Sequence, residues 1–161
     1  MTDAVRVRYE IDLAVDRPGP EIPDVEVRQL APTDRDALAR LMLDAYIGTI
    51  DYEGETLEGA VDEVDSWLED SPLLDHSYGA IIDGQIVSAV LVMVVDDAPF
   101  IASVMTDPAH KCSRLARAVT EAAMTNMKRA GFSHVAFYIT RGNTPSERLF
   151  AAIGAQPTDA G

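Results

Sequence analysis

The chain has 161 residues, 47% of them hydrophobic, and carries 27 Asp and Glu against 13 Lys and Arg, a formal charge of −14. That length suits one domain with a sizeable core, and the acidic balance excludes the basic footprint of a nucleic-acid binder. No apolar run reaches the roughly 18 residues of a membrane span; with one cysteine and no basic-then-apolar leader at the N-terminus, the expectation is a cytoplasmic protein without disulfides.

Residues 1–24 read as an N-terminal strand and linker, and residues 25–161 as a single domain. Val5-Arg6-Val7-Arg8-Tyr9-Glu10-Ile11 alternates with period 2, as a strand with one wet face does. Arg17-Pro18-Gly19-Pro20 interrupts it. Val25 to Leu30 is a second short strand. Thr33 is the expected N-cap of a first helix, with Asp34 and Asp36 in the first turn and Leu38, Leu41, Met42 and Ala45 as its buried stripe. Ile47 to Thr56 is a polar loop. The second helix places Leu57, Val61, Val64 and Leu68 on one face, with Trp67 beside them as packing. Its other face holds Glu58, Asp62, Glu63, Asp65 and Glu69, a solvated charge run. Residues 1–75 contain 20 acids and 6 Arg, so the whole excess of negative charge lies there. Solubility accounts for it as well as attraction of a cationic ligand does.

Tyr78 to Ile82 and Gln85 to Val95 form a hairpin across Asp83-Gly84. Ile86 to Val95 is nearly all apolar, as in a strand covered on both faces. Asp96 to Pro99 turns into a strand ending Phe100 to Thr106, followed by a polar loop, Asp107 to Ser113, and a helix from about Arg114 to Ala130. Leu115, Ala118, Val119, Ala122, Ala123, Met127 and Ala130 share one helix face, and Gly131 caps the end behind Lys128 and Arg129. Lys111, Arg114 and Arg117 crowd the helix start, where free N–H groups already carry partial positive charge. Cations added there point to an anion, most simply a phosphate. His134 to Thr140 is another strand. The last helix has Thr144 as expected N-cap, Pro145 in the first position and Glu147 closing a capping box. Leu149, Phe150 and Ile153 are its apolar residues, and Gly154 ends it. The order is α+β, with one parallel strand–helix–strand crossover over residues 100–140.

Two stretches carry a family resemblance. The first is Val104-Met105-Thr106-Asp107-Pro108-Ala109-His110-Lys111-Cys112-Ser113-Arg114-Leu115-Ala116. The second is Gly142-Asn143-Thr144-Pro145-Ser146-Glu147-Arg148-Leu149-Phe150 with Ile153-Gly154. At this spacing and in this element order, residues 25–157 resemble the GNAT superfamily of acyl-CoA-dependent N-acyltransferases. The resemblance implies a mixed, mostly antiparallel central sheet with helices on both faces, acetyl-CoA as cosubstrate, and transfer of acetyl to a primary amine by direct attack. Given the acidic first half, that amine is expected to be cationic. The alternative is a non-catalytic acyl-CoA-binding or sensor module of the same fold. By the same resemblance, the N–H groups of Lys111, Cys112, Ser113, Arg114, Leu115 and Ala116 hold the diphosphate. The pantetheine arm adds to Val104, Met105 and Thr106, where an N–H stabilises the oxyanion, and Asn143 and Phe150 contact the cosubstrate from the last helix. Independently of the name, a diphosphate needs several converging N–H groups, and a helix start after a tight turn supplies them.

Three positions depart from the family pattern. Arg114 stands where the family has Gly, Phe150 where many members have a Tyr proton donor, and Ala155 where an aromatic residue follows the Gly. The short last strand leaves a sheet edge for the N-terminal strand or a second subunit to cover, which leaves a homodimer open.

An acceptor amine with a pKa of about 10.4 must lose its proton, which costs roughly 4 kcal/mol at about pH 7.4, so a base would help. His110, Asp51 and Glu53 are candidates, with Tyr46 and Tyr52 as lining; spacing singles out none of them. Cys112, near the helix start, is a loop thiol without a triad pattern. His76 and His134 read as structural, and no set of residues has metal-ligand spacing.

Overall fold

The computed structural model describes residues 5–14, 22, 25–47, 54, 56–70, 72–110 and 114–158. Seven strands, β1 (Arg6–Asp12), β2 (Glu26–Gln29), β3 (Tyr78–Ile82), β4 (Gln85–Val95), β5 (Ala98–Thr106), β6 (His134–Thr140) and β7 (Gln156–Pro157), form one sheet. Their order is β2-β3-β4-β5-β6-β1-β7. Every neighbouring pair is antiparallel except β5 and β6, which run parallel. Four helices, α1 (Arg35–Tyr46), α2 (Leu57–Glu69), α3 (Leu115–Arg129) and α4 (Thr144–Ile153), cover the sheet.

Strand β4 explains the two-sided architecture. Val87, Val90 and Val92 pack in one cluster with Leu115, Val119 and Met127 of α3 and Phe150 and Ile153 of α4. Ala89 and Leu91 pack in a second cluster with Leu38 and Met42 of α1 and Val64 and Trp67 of α2. A strand covered on both faces gains nothing from polar alternation, so it reads as a continuous apolar run. The hairpins on either side of it use two-residue turns, Asp83-Gly84 (φ 51° and 77°) and Asp96-Asp97 (φ 53° and 64°), which suit the twist of paired strands.

The N-terminal strand lies inside the sheet. β1 pairs with β6 along seven residues, from Arg6↔Thr140 to Asp12↔His134, and with β7 at Tyr9↔Pro157 and Glu10↔Gln156. Ile11 and Leu13 are buried, and Tyr9 stacks on Phe137 at 5.8 Å. The sheet edge beside β6 is thus covered from within the chain.

Several local expectations are corrected. Pro32–Asp34 forms a 3-10 turn ahead of α1, so Thr33 is not its N-cap. Asp34 organises the entry instead: its carboxylate accepts from Ala31 N (2.8 Å) and from both Nη groups of Arg28 (2.9 and 3.0 Å). The Arg28 hydrogen bonds hold the Asp34 carboxyl below the usual range. On α2 the buried stripe is Ala60, Val64 and Trp67, and Leu57 is 38% exposed. The helix rolls toward its largest side chain, because Trp67 buries the most apolar surface and its Nε1 donates to the Val92 carbonyl at 3.0 Å. Asp65, expected in the solvated run, turns to Arg35 of α1 and accepts from Nη2 at 2.7 Å. On α3, Ala130 is exposed while Thr120 and Glu121 are buried. The cap at Gly131 holds, with φ 96° and the bonds Gly131 N to Lys128 O and Phe132 N to Met127 O.

Beside α3, His76 is buried and meets Phe132 edge-on. Its Nδ1 accepts from Asn126 Nδ2 at 3.0 Å, and the same amide group donates to the Asp75 carbonyl. Burial lowers the His76 pKa below its ordinary value, with Asp75 opposing in part. A proton on Nδ1 would face another donor. The unfolded chain therefore binds this proton more readily than the folded one. The stability it reflects is complete above about pH 6.5 and is lost as pH falls toward the lower folded value. Urea unfolding should show a loss between about pH 7 and pH 5 that is smaller in His76→Gln; equal losses in both proteins would show that His76 is not responsible.

Candidate active site

The site is built where β5 leaves β6. The two strands pair at Phe100↔Ala136, and no further register pair forms between them among the described residues. The cause lies two residues on. The β4–β5 register shifts between Leu91↔Ser103 and Val92↔Ile101, so Ala102 is an extra residue on β5. Such a bulge bends its strand and increases its twist. The strands diverge toward Thr106 and Thr140, leaving β6-facing main-chain groups of Val104 to Thr106 outside the ladder. Met105 is buried, whereas Val104 and Thr106 are half-buried. Thr106 Oγ1 lies 3.0 Å from Ser88 Oγ, which also donates to the Met105 carbonyl.

Beyond β5, Asp107 ties the chain back to β4 through Asp107 N to Val87 O, 2.8 Å. Its carboxylate accepts from Ala109 N at 2.8 Å, and its carbonyl from His110 N at 2.9 Å, shaping the 3-10 turn Pro108–His110. His110 is half-buried there. The chain enters α3 through Arg114, whose φ of 65° and ψ of 11° are left-handed. A non-glycine residue in that region costs about 1–2 kcal/mol. Arg114 thus keeps the backbone bend that a glycine would adopt freely, and adds an exposed cation. Its carbonyl accepts from Ala118 N, starting the helix. No side-chain cap is made at Arg114, and among the described residues no side chain takes the N–H groups of Leu115, Ala116 and Arg117. These uncapped donors face the mouth of the helix, where the dipole favours an anion. Leu115 anchors the turn, its side chain 1% exposed, and Ala116 is half-buried.

Two expected contacts are corrected. Asn143, not Thr144, caps α4: its Oδ1 accepts from Ser146 N at 3.4 Å. Glu147 Oε1 accepts from Gly142 N, two residues before the Thr144 N–H of the expected capping box. Asn is at least as good an N-cap as Thr, so the helix starts one residue sooner and Asn143 is engaged in its own backbone. Phe150 is a core residue, 4% exposed, its ring stacked on Phe137 at 4.0 Å. Its ring belongs to the cluster that joins α4 to β6 and α3. Tyr46, at the end of α1, reaches β5, with its hydroxyl 3.1 Å from Ser103 Oγ. Ser103 was missed in the sequence because the bulge at Ala102 shifts the alternation of β5; one residue later it faces α1. Lys111, Cys112, Ser113, Asp51, Tyr52 and Glu53 lie outside the described residues.

The fold is similar to that of solved N-acetyltransferases. A GCN5-related N-acetyltransferase from Sphaerobacter thermophilus matches 95% of this chain with a TM-score of 0.76 and 20% identity, over 48% of its own length. A tandem GNAT protein from the clavulanic acid biosynthesis pathway matches 96% with a TM-score of 0.70 and 15% identity, over 50% of its own length. The chain thus spans about half of these two proteins. A PaiA N-acetyltransferase from Thermoplasma acidophilum, solved in complex with coenzyme A, matches 85% with a TM-score of 0.67 and 16% identity, over 92% of its length. No curated protein matches the sequence. Residues 37–155 match the Acetyltransferase (GNAT) family, and the chain belongs to that family.

Proposed function

We propose that this chain transfers acetyl from acetyl-CoA to a primary amine, with a cationic amine preferred. The observation that carries the reading is the uncapped start of α3 behind the left-handed Arg114, set beside a β5 that has parted from β6. The described residues fit the cosubstrate: free N–H groups and Arg114 for a phosphate, and unladdered main chain at Val104 to Thr106 for an extended amide-bearing arm. When bound, acetyl-CoA supplies an activated acetyl thioester. The helix start would bind its diphosphate and the β5 main chain would orient its arm. A β5 N–H would stabilise negative charge developing on the carbonyl oxygen during direct attack. Ser103 and Tyr46, on the α1 side of β5, would orient the acceptor amine. His110, in the turn after β5, is the described candidate for taking its proton.

The preference for a cation rests on charge. Glu58, Asp62, Glu63 and Glu69 of α2 are exposed, within a half of the chain that carries the whole negative excess. Exposed charges act over about 8 Å at physiological ionic strength. Acetyl-CoA at about 100 times its dissociation constant should add roughly 2.7 kcal/mol of stability. Free-thiol release against a panel of amines should be fastest with cationic acceptors and fall as salt rises. No thermal shift at millimolar acetyl-CoA would end this reading. Because Phe150 has no acidic proton, acyl-CoA binding without turnover is the second reading; a thermal shift with no thiol release from any amine would select it.

A further inference from the structure

We propose that Glu121 is a positioning residue that holds Arg117 against a phosphate group at the start of α3, an inference that rests on the acetyl-CoA reading above. Glu121 stands in the middle of α3 beside the buried Thr120 and Ala118, and its side chain is 1% exposed. One carboxylate oxygen, Oε1, accepts from Arg117 Nε at 2.9 Å. The other, Oε2, is buried and has no hydrogen-bond partner among the described residues. Removing a carboxylate from water is costly, and one hydrogen-bonded oxygen recovers only part of that cost. Arg117 is unfavourable as well: it is the third residue of α3, where a cation opposes the helix dipole. Packing alone would favour an apolar residue at position 121 and a neutral or acidic one at 117.

A phosphate at the helix start removes the objection to Arg117, and an orienting role toward that guanidinium gives the buried Glu121 carboxylate a reason to be there. Its charge offsets Arg117 and Arg114, and it gives the ordered guanidinium a partner. The contact to Glu121 uses only Nε, so the two Nη groups remain for an anion, and the Arg117 side chain is 44% exposed. A guanidinium held in one orientation loses less freedom when it forms a paired contact to phosphate oxygens. The phosphate is either the diphosphate of the cosubstrate or its 3′-phosphate; the chemistry of the contact is the same.

The experiment compares dissociation constants and unfolding stability for wild type, Glu121→Met, Glu121→Gln, Arg117→Ala and Arg117→Ala with Glu121→Met. The ligands are acetyl-CoA, acetyl-3′-dephospho-CoA and S-acetyl-pantetheine. Glu121→Met fills the buried space without an acceptor. It should keep or raise stability yet weaken acetyl-CoA about tenfold, with S-acetyl-pantetheine unchanged. Glu121→Gln retains an acceptor for Nε and should restore most of the affinity. In the Arg117→Ala background, Glu121→Met should cost nothing more. A loss that disappears with the dephospho compound places the contact at the 3′-phosphate; a loss that persists places it at the diphosphate. A loss equal for S-acetyl-pantetheine, a loss that persists without Arg117, or a drop in stability with affinity intact would each overturn the proposal while leaving the acetyl-CoA reading standing. A wild-type protein that binds neither CoA compound would overturn both.

Discussion

Replacing Phe150 by alanine should destabilise the fold by about 3–5 kcal/mol, the usual cost of emptying a buried aromatic site. Phe150 is 4% exposed, stacks on Phe137, and joins α4 to the cluster under α3 and β4. The neighbours that would have to close the gap are held by the sheet: Phe137 sits in β6, which is paired to β1 along seven residues. Phe150→Tyr is the milder change, yet its hydroxyl would enter the core and cost about 1–3 kcal/mol if it found no partner. It should therefore lower stability and leave the rate unimproved. Urea denaturation measures both variants. A loss below about 1 kcal/mol for the alanine variant would show that α4 is held by something else. A Tyr variant of wild-type stability and higher rate would return this position to the active site.

Ala116→Pro should weaken acetyl-CoA about 10- to 100-fold. Proline deletes one N–H from the uncapped first turn of α3, and a hydrogen bond to a charged group contributes about 1.5–3 kcal/mol. The helix itself should tolerate the change, because its second residue makes no N–H bond to a preceding turn. α4 has Pro145 at the same helical position. Arg114→Gly separates charge from geometry. Relief of the left-handed conformation should raise stability by about 1 kcal/mol, while loss of the cation should cost less affinity than loss of the backbone donor. Calorimetric titration with acetyl-CoA checks both. If Ala116→Pro binds as wild type does while its helix content is intact, no phosphate rests on this turn.

Much of the fold was legible in the sequence wherever one element alone decides the pattern. The hairpin at Asp83-Gly84 follows from two residues that accept positive φ, and both have it. The apolar run of β4 implies cover on both faces, and α1, α2, α3 and α4 provide it. Cations at the start of α3 are locally unfavourable, and that inconsistency, visible in the sequence, motivates the proposed phosphate contact. The open face of that helix and the glycine-like bend at Arg114 agree with it.

What only the tertiary structure decided concerns relations between elements. Period-2 alternation in residues 5–11 implies a strand but does not choose its neighbour. Pairing with β6 is set by Ile11 and Leu13 entering a core whose other buried members run from Ala80 to Ile153. The roll of α2 onto Trp67 depends on a carbonyl of β4 that only packing brings near. The move of the α4 cap from Thr144 to Asn143 turns on a one-residue choice between two acceptable caps. Phe150 is apolar in the sequence whether it lines a ligand or fills a core; Phe137, 13 positions away and on another element, settles it. Tyr46 and Ser103 are 57 residues apart, and a bulge at Ala102 turns the second toward the first. A charged residue on a helix reads as solvent-facing until the neighbouring elements are in place, and so Glu121, buried with one oxygen unpaired, could be found only in the assembled structure.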